Sequence, residues 1–218
     1  MPKTPARTGA AVNLRRAYFD CRYGQLHVRT AFPNTGGFDE RTPLVLLHER
    51  GASSRTFLPL LPELGADRSL YAVDTPGCGE SDPPREPSIA DCAAAIGDLL
   101  DGLRLREVDL LGYRTGSAMA AELAIARPKQ VRRVAFVALP ASETAGRAAP
   151  WVAGERLPLV KQSVLVLRPR DDLWEQTLRG RALLPQARWR EFPEHGATLF
   201  DAATPAVAAE VRAFLDGG

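Results

Sequence analysis

The residues Gly112-Tyr-Arg-Thr-Gly116 follow the apolar run Val108-Asp-Leu-Leu111 and open an alanine-rich segment. At such a junction the pattern Gly-x-Ser-x-Gly is a strand-to-helix turn that holds a serine up for nucleophilic attack. The outer glycines are needed because the turn is too tight to admit a side chain at either end. Here Arg114 stands where the serine would be. A guanidinium stays protonated in a protein and cannot attack a carbonyl, so acyl transfer through this position is closed. What an arginine can do is grip a carboxylate or enolate with two parallel hydrogen bonds.

The elements that would position this turn can be read from periodicity. Residues 16–32 read as two strands around a turn at Tyr23-Gly24, rich in β-favouring types. Residues 43–48, 70–73, 108–111, 131–139 and 163–167 are short apolar runs with little alternation, as in strands buried on both faces of a parallel sheet. Residues 188–192 read as a last strand. Helical spacing is expected over 53–64 (interrupted by prolines), 88–103, 115–126, 171–180 and 205–215. Ser88 with Asp91 three residues on forms a capping box. Strands alternating with helices imply an α/β fold with ligands beyond the carboxyl ends of the strands. His48, Glu49, Asp74, Arg114, Asp172 and His195 all fall at those ends.

Bulk properties narrow the function classes. The chain has 218 residues, 45% hydrophobic and 25% charged, with a net charge of +2. The arginines are scattered, so nucleic acid is not an expected partner. Cys21, Cys78 and Cys92 are odd in number and lack metal-like or paired spacing, which suits a reducing compartment and a cytoplasmic location. Residues 1–15 read as a flexible leader, not a secretory signal, and residues 16–218 as one domain. No apolar run reaches the length of a membrane span. No metal cluster or dinucleotide fingerprint is present, so no cofactor is expected: Gly77-x-Gly79 lacks the third glycine and the helix start.

Five segments in register resemble the α/β-hydrolase superfamily from about residue 16 to the end. Pro43-Leu-Val-Leu-Leu-His48 is similar to its strand before the oxyanion loop, and Asp74-Thr-Pro-Gly-Cys-Gly-Glu-Ser81 to its Asp-x-Pro-Gly-x-Gly-x-Ser loop. Val108 to Gly116 resembles its nucleophile elbow, Val164 to Asp172 its acid-bearing strand and turn, and Glu194-His195-Gly196 its histidine loop. The resemblance implies a mostly parallel sheet flanked by helices, with an N-terminal antiparallel hairpin and little or no cap domain. It implies Asp172 as the acid and His195 as the base that it orients. Asp171 is the rival acid, read here as a solvated turn residue.

Three departures stand out. Arg114 replaces the serine. Glu49, within His48-Glu49-Arg50-Gly51, replaces a glycine of the oxyanion loop, and a carboxylate there opposes developing negative charge unless a cation neutralises it. Only residues 140–162 separate two strands between which many relatives insert a helical lid.

These features leave three readings open. In the first, His195 oriented by Asp172 is a general base and Arg114 anchors an anionic small molecule in a reaction without a covalent intermediate. In the second, the protein is catalytically inactive and binds a ligand or partner, with a Glu49–Arg114 salt bridge plugging the site. In the third, an esterase-like hydrolase uses a displaced nucleophile. Ser117 for that role faces the simpler reading of helix packing, Cys78 that of a binding position, and Ser53 and Ser54 that of helix caps. Thr115 is expected to matter through its backbone N–H, and Tyr113 to wall the pocket or pack in the core. Trp151 and residues 157–160 read equally as a cover over the site, an oligomer contact or a plain linker. Arg132-Arg133 read as solvated surface, and homo-oligomerisation is left open.

Overall fold

Apolar runs without alternation become the centre of the sheet, where neighbours cover both faces. In the run 44–47, Leu44 and Leu46 join one hydrophobic cluster while Val45 and Leu47 join the other. This follows from the two-residue period of a strand. The computed structural model describes residues 12–34, 41–141, 143–144 and 151–217.

An eight-stranded sheet runs in the order β1-β2-β4-β3-β5-β6-β9-β10. Strands β1 (Val12–Cys21) and β2 (Gly24–Pro33) form the expected antiparallel hairpin, and β2 pairs antiparallel with β4 (Arg68–Val73). From β4 onward all pairing is parallel, through β3 (Arg41–Leu47), β5 (Val108–Tyr113), β6 (Val131–Val137), β9 (Ser163–Pro169) and β10 (Arg188–Phe192). The short strands β7 (Glu143–Thr144) and β8 (Trp151–Val152) pair antiparallel with each other.

Helices α2 (Ile89–Gly102), α3 (Thr115–Ala126) and the short α4 (Ala153–Arg156) cover one face. The other face carries α1 (Leu60–Leu64), α6 (Leu199–Ala202) and α7 (Thr204–Asp216). Helix α5 (Trp174–Leu183) follows β9. Ser88 and Asp91 close the capping box of α2, with Ser88 Oγ accepting from the Asp91 N–H and the Asp91 carboxylate from the Ser88 N–H. No large cap domain is inserted between β6 and β9. Instead Trp151, Leu157 and Val160 bury themselves in the cluster that holds α3. Glu122 of α3 fixes that segment, accepting from Trp151 Nε1 at 2.9 Å and from Arg156 at 2.6 and 2.7 Å.

Several elements depart from the sequence reading. Strand β1 starts at Val12, so residues 12–15 of the expected leader belong to the sheet. The proline-broken stretch after Ser53 splits into a 3-10 turn (Ser54–Phe57) and α1. The expected helix at 171 starts at Trp174, because Asp171 is held at the strand end. Arg132 and Arg133 are not free surface. Arg132 pairs with the fully buried Asp109, and Arg133 donates to the carbonyls of Phe214 and Gly217, pinning the end of α7. A buried carboxylate without such a partner would be costly. Among the described residues no helix is long and apolar enough to cross a membrane.

Candidate functional site

The site lies at the carboxyl ends of β3, β5, β9 and β10. The turn after β5 has the geometry that its glycines require. A Cβ on Gly112 would lie 2.4 Å from the Gly116 carbonyl oxygen, and one on Gly116 would lie 2.0 Å from that of Leu47. Arg114, between them, adopts φ 54° and ψ −118°. Such a conformation costs a non-glycine residue about 1–3 kcal/mol and is kept only where the surroundings impose it. The strained backbone of a nucleophile elbow is therefore retained without the nucleophile.

All three nitrogens of the Arg114 guanidinium meet carboxylates. Nε contacts Glu49 Oε2 at 2.8 Å, from the loop after β3. Nη1 donates to Asp171 Oδ2 at 2.9 Å and to Asp172 Oδ1 at 2.8 Å, and Nη2 donates to Asp172 Oδ2 at 2.8 Å. One cation thus joins three loops at the edge of the sheet. The guanidinium is raised in pKa, first by its hydrogen bonds to Asp172 and against the opposing effect of burial. Asp172 is correspondingly lowered, first by Arg114. Asp171 is raised, because burial outweighs the Leu173 N–H and Arg114.

Asp171 is not the solvated turn residue expected. Its side chain is only 2% exposed, against 70% for Asp172. Asp172 is engaged by Arg114 through both oxygens, and among the described residues no hydrogen bond or ion pair joins it to His195. His195 is half-buried, and its ring tilts against Phe192 at 6.4 Å between centroids. Backbone ties hold its loop beside the acid loop: the Arg170 N–H donates to the His195 carbonyl at 2.8 Å.

The oxyanion loop is also occupied. The Arg50 N–H donates to Thr115 Oγ1 at 2.6 Å, so Thr115 acts through its hydroxyl as well as its place in the turn. The Arg50 guanidinium reaches the Pro87 carbonyl. His48 lies in the interior. Its Nε2 accepts the Thr75 N–H at 3.0 Å while Nδ1 donates to the Glu49 carbonyl, which fixes the neutral tautomer, and burial lowers its pKa. Asp74 is likewise internal. It accepts from the N–H groups of Ser54 and Glu80 and from His27 Nδ1, which keep its pKa low despite burial. His27, the buried partner of Asp74, had no signal in the sequence beyond its place in a strand. Cys78 Sγ sits 3.5 Å from the Gly51 N–H. Ser117 Oγ is buried and donates to the Gly112 carbonyl at 2.8 Å, a helix-packing role. Ser53 caps the 3-10 turn through the Arg55 N–H, whereas Ser54 gives its backbone N–H to Asp74.

A cleft of about 440 Å³ opens above Arg114, lined by Glu49, Arg55, Thr56, Tyr113, Asp172, Ala197, Phe200 and Asp201. Tyr113 forms its wall and packs edge-on against Phe200, with centroids 5.0 Å apart. Trp151 and residues 157–160 are not among its lining. Among the described residues no group of three or more His, Cys, Asp or Glu side chains is placed to hold a metal ion.

Comparison with known proteins agrees with this architecture. The enol-lactonase of Burkholderia xenovorans LB400 superposes with a TM-score of 0.81 at 18% identity, covering 92% of this chain and 100% of that one. The Bacillus subtilis carboxylesterase CesB gives 0.79 at 18% identity, covering 96% and 94%. By sequence, proline iminopeptidase of Heyndrickxia coagulans is 30% identical over 122 residues, 55% of this chain and 41% of the relative. The 1-acylglycerol-3-phosphate O-acyltransferase ABHD5 of Rattus norvegicus is 32% identical over 150 residues, 66% and 38% respectively. The chain thus spans about two fifths of the length of these curated relatives. The family model described as alpha/beta hydrolase fold matches residues 42–209. The chain belongs to the α/β-hydrolase-fold family.

Proposed function

We propose that this protein binds a small molecule in the cleft above Arg114 and carries out no acyl transfer there. The observation that supports this reading is the engagement of every Arg114 nitrogen by Glu49, Asp171 and Asp172. Glu49 and Arg114 then explain each other: the carboxylate that would oppose an oxyanion balances the cation that replaced the nucleophile. The ligand we infer is neutral or cationic. An incoming anion would meet three carboxylates around one guanidinium, with a single Nη2 N–H not taken by any of them. The faces of Tyr113 and Phe200 offer an apolar wall for its body. A cytoplasmic location is part of the proposal, supported by the odd number of cysteines, all three free.

The general-base reading requires Asp172 to orient His195, and Asp172 is engaged elsewhere. The experiment is a turnover screen with short-chain p-nitrophenyl esters and lactones, run beside a thermal-shift screen of small amines and neutral amides. Background hydrolysis unchanged by His195→Ala, together with ligand stabilisation that weakens in Phe200→Ala, is the expected result. Turnover that disappears in both His195→Ala and Asp172→Asn would restore the general-base enzyme. Turnover lost in His195→Ala but kept in Arg114→Ala would restore a displaced nucleophile.

A further inference from the structure

We propose a second, anion-binding pocket on the N-terminal hairpin, remote in sequence from the Arg114 cluster. A cavity of about 240 Å³ lies between β1, β2 and the α1 segment, and among the described residues no acidic one lines it. Arg16 of β1 and Arg29 of β2 both line it and are directly opposed in the strand register. Like charges in that relation repel, and a β hairpin ordinarily avoids them. Arg29 adds a second anomaly. Its Nε is shielded from solvent and has no hydrogen-bond partner among the described residues. A buried N–H of a charged group without an acceptor carries its full desolvation penalty. Glu80 lies within the field of Arg16, but its carboxylate accepts from the Tyr18 hydroxyl at 2.8 Å.

An oxyanion between the two guanidinium groups resolves both anomalies, because it screens the repulsion and supplies an acceptor for Arg29 Nε. The remaining lining sets what the anion is attached to. Leu61 is buried beneath the cavity, while Leu58 and Leu14 are large apolar side chains left 43% and 52% exposed at it. The ligand class is therefore a carboxylate or phosphate monoester carrying a short aliphatic chain, with its head between Arg16 and Arg29 and its chain against the leucines. A free amphiphile and the headgroup region of an anionic bilayer share this chemistry.

The test is calorimetric titration of the full-length chain at low ionic strength with hexyl phosphate, hexylamine and inorganic phosphate. It is accompanied by co-sedimentation with vesicles of phosphatidylcholine alone or mixed with phosphatidylglycerol. One-to-one binding of hexyl phosphate is expected, weakened about tenfold or more in Arg29→Ala, as for a hydrogen bond to a charged group. Leu58→Ala should weaken it several-fold, hexylamine should not bind at this pocket, and inorganic phosphate should bind more weakly than the hexyl ester. Arg16→Ala removes an exposed side chain and should give the same loss as Arg29→Ala, so a folding defect in the latter does not decide the matter. Arginine-dependent co-sedimentation only with phosphatidylglycerol vesicles would assign the anion to a bilayer, whereas binding of hexyl phosphate alone assigns it to a free ligand. The proposal is overturned by binding to neither, by binding indifferent to both arginine substitutions, or by binding that falls instead with Phe200→Ala in the other cleft.

Discussion

Asp172 meets Arg114 side by side, Oδ1 accepting from Nη1 and Oδ2 from Nη2, each at 2.8 Å. A carboxylate held in this fork has its charge balanced by the guanidinium, and among the described residues no hydrogen bond joins it to His195. The same guanidinium holds Asp171 and Glu49, and so ties the loops after β3, β5 and β9 together.

Removing the cation should therefore cost stability. Arg114→Met keeps most of the side-chain stem and leaves three carboxylates facing one another. A loss of about 2–3 kcal/mol is expected, below the 3–5 kcal/mol for breaking a fully buried pair because the site is partly open to water. Glu49→Gln, at the exposed rim, should cost less than about 1 kcal/mol. Urea unfolding at neutral pH measures both, and equal losses would contradict the hierarchy.

Asp171 and Asp172 should act on acid stability with opposite sign. The Asp172 pKa is depressed in the folded protein, so its contribution is complete above the unfolded value of about 3.9 and is lost as pH falls through the folded one. Asp171 is raised by burial. The folded state then binds its proton first, and stability rises as pH falls through that raised value toward about 3.9. Asp172→Asn should flatten the loss below about pH 4, and Asp171→Asn the gain above it. Urea midpoints across this range decide it, and superimposable profiles for the two variants would defeat the assignment.

Gly116 should tolerate no side chain. Its Cβ would sit 2.0 Å from the carbonyl oxygen of Leu47, the last residue of β3, and 2.8 Å from that of His48 just beyond it. Gly116→Ala must push β3 from α3, and a loss of about 3 kcal/mol or outright failure to fold is expected. A variant that is soluble with an unchanged melting temperature would mean that the turn is more pliable than its contacts imply.

Glu122→Gln tests the fastening of the segment that stands in place of a lid. The wild-type carboxylate serves Trp151 Nε1 and both donors of Arg156 from a nearly buried position. The amide keeps one acceptor and presents an N–H to the guanidinium, so a loss of about 1–3 kcal/mol is expected. Tryptophan fluorescence should shift to the red as Trp151 gains water. Stability lost without a spectral shift would place the effect elsewhere.

The parallel sheet, the capping box of α2 and the glycine-flanked turn around Arg114 were all legible in the sequence, because each rests on local chemistry. Two-residue alternation, a serine three positions before an acid, and glycines where a Cβ has no space need no distant partner. Strand ends were less legible, since pairing with β2 decides whether residues 12–15 join the sheet. Salt bridges were least legible. The pairing of Glu49 with Arg114 could be foreseen from the order of the loops, but Asp171 and Asp172 read as one turn residue and one catalytic acid. Arg132 and Arg133 read as surface, because charge in a sequence carries no partner.

The sequence by itself determined the elements, their order and the loss of the nucleophile, since backbone conformation and side-chain reactivity are properties of residue type and near neighbours. Only the tertiary structure decided which carboxylates Arg114 would take, Asp172 among them. That choice depends on ångström distances between loops 57 to 65 residues apart in the chain, and a charged hydrogen bond forms only where geometry delivers its acceptor.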